Sequence, residues 1–296
     1  MSAPQYIKKI KYKLILPLIS RLPRKSAFTL ATKLGRRFFW LFEPEWIESY
    51  RAGLKLAFRE ATHEQVEQWV YAHFGMMARE ELDVFYLTRM NRKTITDMAS
   101  LNADALIKER NNCGKIIVMA HAGRPIMLSS ALGLSDLSIG MLSQVIDERN
   151  PHLDEQTRDY LQYKMHHTVR IAGGRWVTTA DHLRVLYDAL KQGETIIIMM
   201  DLVEADPARQ VKVDFLNGQL ALPPGIIRLV QRSGAKLFYG RALDSHEQTV
   251  CSVIALPDDP VLAMQAAAQQ LENDINIAPW QWWQWNNLPL MWSRTS

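Results

Sequence analysis

A histidine and an aspartate each follow a strongly apolar run, and these two side chains are the first candidates for chemistry. His121 comes directly after Lys115–Ala120, and Asp201 comes directly after Thr195–Met200. Both runs are typical of strands buried in a parallel sheet. Because ligands of open α/β sheets bind just beyond the carboxyl ends of the strands, a histidine there is placed to act as a general base. If the two strands are neighbours, both side chains face one pocket.

Each of these residues also has a structural interpretation. His121 would then only hydrogen-bond a loop carbonyl, a common part for histidine. Asp201 would cap the turn that follows it. Two further acidic residues, Glu80 and Glu81, lie in a helical pattern, where a solvated helix face is the expected position for both. The pattern leaves the functional and structural roles of His121 and Asp201 open.

Alternating strand and helix patterns fill residues 114–276. They predict an α/β fold, a mostly parallel sheet flanked by helices. Asn150 is expected to begin a helix that runs to about Lys164. Residues 168–172 are expected to form a strand that turns out at Gly173-Gly174. Asp259 is expected to cap the last helix of the domain.

The length of 296 residues suits one large α/β domain or two small ones, and the hydrophobic content of 48% is ordinary for a globular protein. The two cysteines, Cys113 and Cys251, lack metal-ligand spacing and are expected to be reduced thiols. The sequence has no P-loop, dinucleotide-binding glycine motif, zinc pattern or nucleophile elbow. These absences weigh against nucleotide hydrolysis, dinucleotide redox chemistry and serine hydrolysis.

The N-terminal part differs from the rest of the chain. Residues 1–60 carry a net charge of +9, whereas the other 236 residues sum to −5. Basic and apolar residues are interspersed in the first 42 residues, and no run approaches the ~20 consecutive apolar residues of a membrane span. We expect residues 1–42 to be a basic apolar membrane-interface segment and residues 43–296 to be a single α/β domain. The alternative is a soluble helical arm.

Five tryptophans crowd into the last seventeen residues. Indole rings suit a bilayer interface, but they also suit a buried edge of the sheet, because each covers a large area. The sequence leaves both interpretations open.

The order of several segments resembles a known family, the lipid A biosynthesis acyltransferases (late lauroyl and myristoyl transferases) of the lysophospholipid acyltransferase-like superfamily. The segments are LPLISRLP, HFGMMAREELDVF, the strand that ends in His121, RNPHLDEQTRDYLQ, LRVLYDALKQG, TIIIMMD, VDFLNGQLALPPGIIRLVQRSGAKLF and IAPWQWWQWNNLPL. Together they cover nearly the whole chain.

The family motif is a histidine followed five residues later by an acidic residue that orients the imidazole. His121 matches the histidine, but Ile126 stands at the acidic position. The family usually carries an arginine a few residues before the next Asn-Pro, a place that Ile146 holds here. Other residues are therefore expected to complete the site.

Asp201 is the leading candidate to orient His121 in place of the missing acid. Arg124 and Arg149 are candidates to bind a phosphate or a developing oxyanion. Asn150, next to Arg149, completes the predicted substrate-binding set.

The resemblance implies an O-acyltransferase that moves a fatty acyl group from a thioester of acyl carrier protein or coenzyme A to a hydroxyl of a lipid or glycolipid. It also implies a peripheral or monotopic position on the cytoplasmic face of the bacterial inner membrane. Two alternatives stay open. The loss of the acid at Ile126 motivates a catalytically silent relative that binds a lipid or an acylated partner as a pathway subunit. The other is a soluble α/β enzyme of unrelated class. No cofactor, metal or nucleic acid is expected.

Overall fold

A computed structural model of the chain describes residues 3–109, 113–151, 153–204 and 206–294. Its α-helices are α1 Ala3–Ile10, α2 Leu16–Ile19, α3 Arg24–Phe42, α4 Pro44–Ala57, α5 His63–Tyr86, α6 Arg92–Met98, α7 Asp104–Lys108, α8 Ile126–Gly133, α9 Glu155–Ala172, α10 Arg184–Lys191, α11 Gly225–Ser233, α12 Pro260–Ile277 and α13 Leu288–Met291. Its strands are β1 Ala99–Asn102, β2 Lys115–Met119, β3 Ile139–Ser143, β4 Gly173–Thr178, β5 Thr195–Met199, β6 Val211–Phe215, β7 Gly218–Leu222, β8 Lys236–Ser245, β9 Gln248–Ala255 and β10 Trp292–Arg294. A π-helix joins α1 to α2 at Lys11–Ile15, and short 3-10 helices lie at Pro207–Arg209, Pro279–Gln281 and Gln284–Asn287.

The main sheet has seven strands in the order β1-β9-β8-β2-β5-β3-β4. The five strands from β8 to β4 run parallel, whereas β9 is antiparallel to β8, and β1 follows the direction of β9. A second, antiparallel sheet has the order β10-β7-β6. The predicted α/β class, with a mostly parallel sheet flanked by helices, is confirmed.

The central strand β2 is buried on both faces, which explains its continuous apolar sequence. Ile116 and Val118 belong to one hydrophobic cluster, while Ile117 and Met119 belong to the cluster on the opposite face. β2 pairs with β5 along its length, from Lys115 with Thr195 to Met119 with Met199. The two strands expected to be neighbours are therefore adjacent, and His121 and Asp201, which follow them, lie at the same edge of the sheet.

The predicted start of the helix after β3 was wrong. Asp154, not Asn150, is its N-cap, because the Asp154 carboxylate accepts a hydrogen bond of 2.9 Å from the backbone N–H of Thr157. Residues 168–172 were predicted as a strand but are the last turns of α9, where tertiary packing against α8 outweighs the weak helix propensity of their β-branched residues. Gly173 ends the helix with a φ of 76°, and the strand β4 begins there.

Other helix termini follow local sequence signals, and the predicted cap at Asp259 is confirmed. Thr62 and Gln65 form the capping box of α5, and Asp259 caps α12 by accepting hydrogen bonds from two backbone N–H groups. Gly234 ends α11 in the left-handed conformation. These signals are local, which is why the sequence reports them well.

The expectation that Glu80 and Glu81 are solvated was wrong. Both are buried in α5, where Glu80 pairs with Lys164 and Glu81 lies 2.7 Å from the Nζ of Lys11. The N-terminal helices pack on α3, α5 and α9 and cover this side of α5. Within the described residues, we find no helix with both the length and the apolarity that a membrane crossing needs.

Gly53 tests how tightly the C-terminal tail packs on α4. A Cβ added at Gly53 would lie 1.8 Å from the carbonyl oxygen of Trp285. We expect Gly53→Ala to lower the free energy of unfolding, measured by urea titration, by about 1–3 kcal/mol.

The matched control is Gly225→Ala in α11, because nothing lies within 4 Å of a Cβ added there. Its free energy of unfolding is expected to stay the same or to rise by up to ~1 kcal/mol. Wild-type stability of Gly53→Ala would contradict the close approach of the tail to α4.

Candidate active site

His121 and Asp201 meet at the carboxyl ends of β2 and β5. The Nδ1 atom of His121 lies 2.8 Å from one carboxylate oxygen of Asp201, and the backbone N–H of His121 donates to the other oxygen, also at 2.8 Å. Asp201 is fully buried, while the His121 side chain is 25% exposed. With Nδ1–H donated to the carboxylate, Nε2 is the unprotonated nitrogen that can accept a proton.

Asp201 is held as an anion although it is buried. Burial alone would raise its pKa, but the charge of His121 and hydrogen bonds from the His121 side chain and from Trp282 hold the pKa below its ordinary value of 3.8. The Trp282 indole N–H donates to the same oxygen as the His121 backbone, at 2.9 Å. Three donors thus fix this carboxylate, and it in turn fixes the imidazole.

The loop after His121 is held by the C-terminal tail. The backbone N–H of Trp283 donates to the His121 carbonyl at 2.8 Å, and the Trp283 indole donates to the Gly123 carbonyl at 3.0 Å. Gly123 has a φ of 64°, and a Cβ there would lie 2.0 Å from the carbonyl oxygen of Ala242. The turn therefore requires glycine, and the tail determines where it lies.

The tail is held in its turn by α4 and α5. The Tyr50 hydroxyl donates to the Trp282 carbonyl at 3.0 Å, and Nδ1 of His73 donates to the Trp280 carbonyl at 2.9 Å. The two rings stack with their centroids 3.9 Å apart. Burial lowers the pKa of His73 to about 3, so the ring is neutral and Nδ1 carries the proton that the carbonyl accepts. Two helices that are distant from His121 in sequence thus hold the tail, and the tail holds the Asp201 carboxylate that orients the imidazole.

An apolar groove opens beside His121. Its cavity volume is about 320 Å³, and it lies between the ends of β2, β3 and β5 and the helices α8 and α9. His121 and Trp283 line it together with apolar side chains, among them Met119, Ile126, Met141, Leu161, Met165 and Ile197. Such a lining favours an alkyl chain, since burial of apolar surface stabilises by about 25 cal/mol per Å². In the described ranges, no cluster of three or more His, Cys, Asp or Glu residues is suited to hold a metal ion.

Arg124 lies outside this groove. Its guanidinium is fully buried, donates to both carboxylate oxygens of Asp83 and lies 3.1 Å from Asp244. Arg79 pairs with Asp244 as well. Burial raises the pKa of Asp83 to about 7, with the Arg124 charge opposing that rise. The structure therefore brings Arg124 into a buried ion-pair cluster rather than to the groove.

The other predicted substrate-binding residues lie at the groove rim or beyond it. Asn150 lines the groove, and its amide donates to the Val145 carbonyl at 3.2 Å. Arg149 is exposed and pairs with Asp147 at 2.6 Å, which lowers the pKa of that carboxyl to about 2. Ile146, at the place of the family's arginine, lines the groove with an apolar side chain.

Sequence reasoning missed the tryptophan that contacts Asp201. The cluster of five tail tryptophans was visible, but nothing in it distinguishes Trp282 from Trp285, and both are fully buried. Trp292 is buried as well, in line with the interpretation that the tail covers the sheet.

One comparison with known proteins agrees with the segment order noted in the sequence. A family model described as bacterial lipid A biosynthesis acyltransferase matches residues 1–287. No curated protein matches the chain. The matched range includes the N-terminal helices, His121, Asp201 and the tryptophans that contact them.

The pH dependence of stability tests the Trp282–Asp201 hydrogen bond. Because the Asp201 pKa lies below 3.8, this group stabilises the fold above that pH, and the contribution is lost as the pH falls through its folded pKa. Trp282→Phe removes one donor and is expected to raise the pKa, so that the contribution is lost at a higher pH. At pH 6 the lost bond to a charged group costs about 1.5–3 kcal/mol, which urea titrations across the acid range measure.

Trp285→Phe is the matched control, because Trp285 is equally buried but donates to the Pro279 carbonyl. It is expected to lower stability by a similar packing loss and to keep the wild-type dependence on pH. Parallel pH profiles for both variants would contradict the assigned role of Trp282.

Proposed function

The chain belongs to the bacterial lipid A biosynthesis acyltransferase family, and from that premise we propose that it moves a fatty acyl group from an acyl thioester to a hydroxyl of a lipid or glycolipid, with His121 as the general base. Acyl transfer to a lipid, with an acyl donor and a lipid acceptor, is what membership of this family implies. The observation that carries the proposal is the contact between Nδ1 of His121 and Asp201, which leaves Nε2 free at an apolar groove.

The proposed reaction needs one base that later acts as an acid. Nε2 of His121 removes the proton of the acceptor hydroxyl, and the oxygen attacks the carbonyl carbon of the thioester. The tetrahedral intermediate collapses, the C–S bond breaks, and the imidazolium returns the proton to the sulfur. Asp201 stabilises the imidazolium charge and fixes its orientation. The products are an ester and a free thiol.

We infer that Asp201 takes the orienting role of the acidic residue that Ile126 replaces. The ring nitrogen that the family's acidic residue would orient already has a carboxylate partner, and that carboxylate has two further hydrogen bonds. This geometry favours the transferase over the catalytically silent relative. The silent relative, a subunit that binds a lipid or an acylated partner, becomes the conclusion if no transfer is found.

We propose acyl carrier protein as the donor, with acyl-coenzyme A as the second choice, and a location on the cytoplasmic face of the bacterial inner membrane. Residues 1–42 act as the membrane-interface segment of the domain at 43–296. Large hydrophobic side chains are exposed there at Tyr6, Leu14, Ile15, Leu18, Leu22, Leu30, Leu34, Trp40 and Leu41. Exposed basic residues of the same segment include Lys9, Arg21, Lys25, Lys33 and Arg37.

Two polar residues at the rim are proposed to bind the substrate's polar part. Asn150 faces the groove, and Arg149 is exposed next to it. Arg124 was also predicted to bind substrate, but its side chain is fully buried. This position favours a structural role in holding the loop after His121.

Substitutions at the dyad test the proposal. With labelled acyl carrier thioester and a panel of lipid acceptors, His121→Ala is expected to lower kcat by about 10²–10⁴-fold, because it removes the base. Asp201→Asn is expected to lower kcat by up to ~10⁴-fold, because the imidazole loses its orienting charge. Equal product from wild type and His121→Ala would show that another group is the base.

Ile126→Glu is the informative control. It restores the family motif, but Nδ1 of His121 is already occupied by Asp201, so no gain of activity is expected. A large gain would mean that Asp201 does not orient His121 during the reaction.

Flotation with lipid vesicles tests the membrane segment. The protein is expected to float with anionic phosphatidylglycerol vesicles and less with zwitterionic ones, since each Lys or Arg near an anionic surface is worth roughly 1 kcal/mol. Leu14→Ser with Leu18→Ser is expected to weaken binding by at least about tenfold through lost apolar burial.

The matched control is Leu262→Ser with Ile277→Ser on α12, which removes two apolar side chains that are more exposed than Leu14 and Leu18. This variant should float like the wild type. If both pairs weaken flotation equally, the contact is not specific to the N-terminal helices.

A further inference from the structure

The groove beside His121 has one permanently charged side chain in its lining. Among the described residues that line it, Lys164 on α9 is the only Lys, Arg, Asp or Glu. The remaining lining is apolar or neutral, apart from His121 itself. A single ammonium group in such surroundings is the feature of the groove that an alkyl chain does not explain.

Lys164 lies close to the base. Its Nζ is 5.5 Å from the ring centroid of Trp283, and the same ring is 6.0 Å from the ring of His121. Trp283 is held by hydrogen bonds from its backbone N–H and its indole N–H to carbonyls of the His121 loop. The ammonium and the imidazole therefore lie beside the same indole, and both line the same groove.

Glu80 on α5 is the ion-pair partner of this ammonium. The carboxylate of Glu80 is 2% exposed and the Lys164 side chain 13% exposed, and the two form an ion pair. An ammonium has three N–H donors, so the contact with Glu80 leaves donors for a ligand. A buried ion pair is often no more stabilising than hydrophobic residues of similar volume. A contribution to stability alone therefore does not explain why a lysine and a glutamate occupy these positions.

We propose that Lys164 donates a hydrogen bond to the carbonyl oxygen of the thioester as that oxygen becomes an oxyanion. The inference rests on the proposed acyl transfer. When the acceptor oxygen attacks, His121 takes its proton, the C–O bond forms, and the π electrons of the carbonyl move to its oxygen, where Lys164 stabilises the charge. The electrons return as the C–S bond breaks, and the proton goes from His121 to the sulfur.

Three variants separate this role from a structural ion pair. Glu80→Gln keeps the ammonium but removes the pair, whereas Glu80→Gln with Lys164→Met removes the ammonium without leaving a buried charge. We expect the double variant to lower kcat by about 10²-fold with a nearly unchanged KM, and Glu80→Gln to stay within about fivefold of wild type. Lys164→Arg is expected to have a kcat between those of the wild type and the double variant, since it keeps the charge.

The outcomes distinguish this inference from the proposed function. Transfer by the double variant at the wild-type kcat, with His121→Ala inactive, would overturn the role of Lys164 and leave the function standing. Equal loss in Glu80→Gln and in the double variant would mean a structural pair. No transfer by wild-type protein would overturn the proposed function and this role with it.

A binding measurement tests the ammonium without turnover. Dodecylphosphonate carries an anionic tetrahedral head on an alkyl chain, and dodecanol carries a neutral head on the same chain. Tryptophan fluorescence is expected to show that wild type and Glu80→Gln bind the phosphonate at least tenfold more tightly than the double variant does. All three should bind dodecanol alike, and a phosphonate affinity that ignores Lys164 would overturn the inference.

Discussion

A buried carboxylate that must stay ionised is the constraint on which the site depends. Asp201 is fully buried at the end of β5, where an isolated charge would be strongly unfavourable. Its two oxygens are satisfied by the ring and backbone of His121 and by the indole of Trp282. Because these donors come from β2 and from the tail, the carboxylate requires both to be in place, and the imidazole gains its orientation from that requirement.

The C-terminal tail is therefore part of the site as well as a cover for the sheet. Trp282 donates to Asp201, and Trp283 donates to the loop after His121. On the other side of the tail, Tyr50 and His73 donate hydrogen bonds to its backbone carbonyls. His73 contributes as a neutral ring, since burial lowers its pKa to about 3. The α4 and α5 helices thus reach the dyad through backbone carbonyls, which a sequence pattern does not report.

The charged side chains near the groove include an ion-pair cluster outside the groove and one lysine in its lining. In the deep cluster, Arg79 and Arg124 form ion pairs with Asp83 and Asp244 away from the groove. The groove wall is apolar and carries only Lys164 as a permanently charged lining residue within the described part of the chain. An apolar wall strengthens any charge interaction inside it, so the ammonium interacts more strongly with a charge in the groove than it would at the surface.

The sequence by itself determined the strands that end in His121 and Asp201, the parallel sheet and the caps at Thr62 and Asp259, because apolar runs and capping residues act over a few neighbours. It also suggested Asp201 as the replacement for the acid missing at Ile126. Only the tertiary structure decided that Trp282 completes the carboxylate's hydrogen bonds, that Arg124 is buried and that α9 extends to Ala172. The reason is physical: an indole N–H, a guanidinium or a helix of weak propensity takes its role from partners distant in the chain, and their arrival depends on how the whole fold packs.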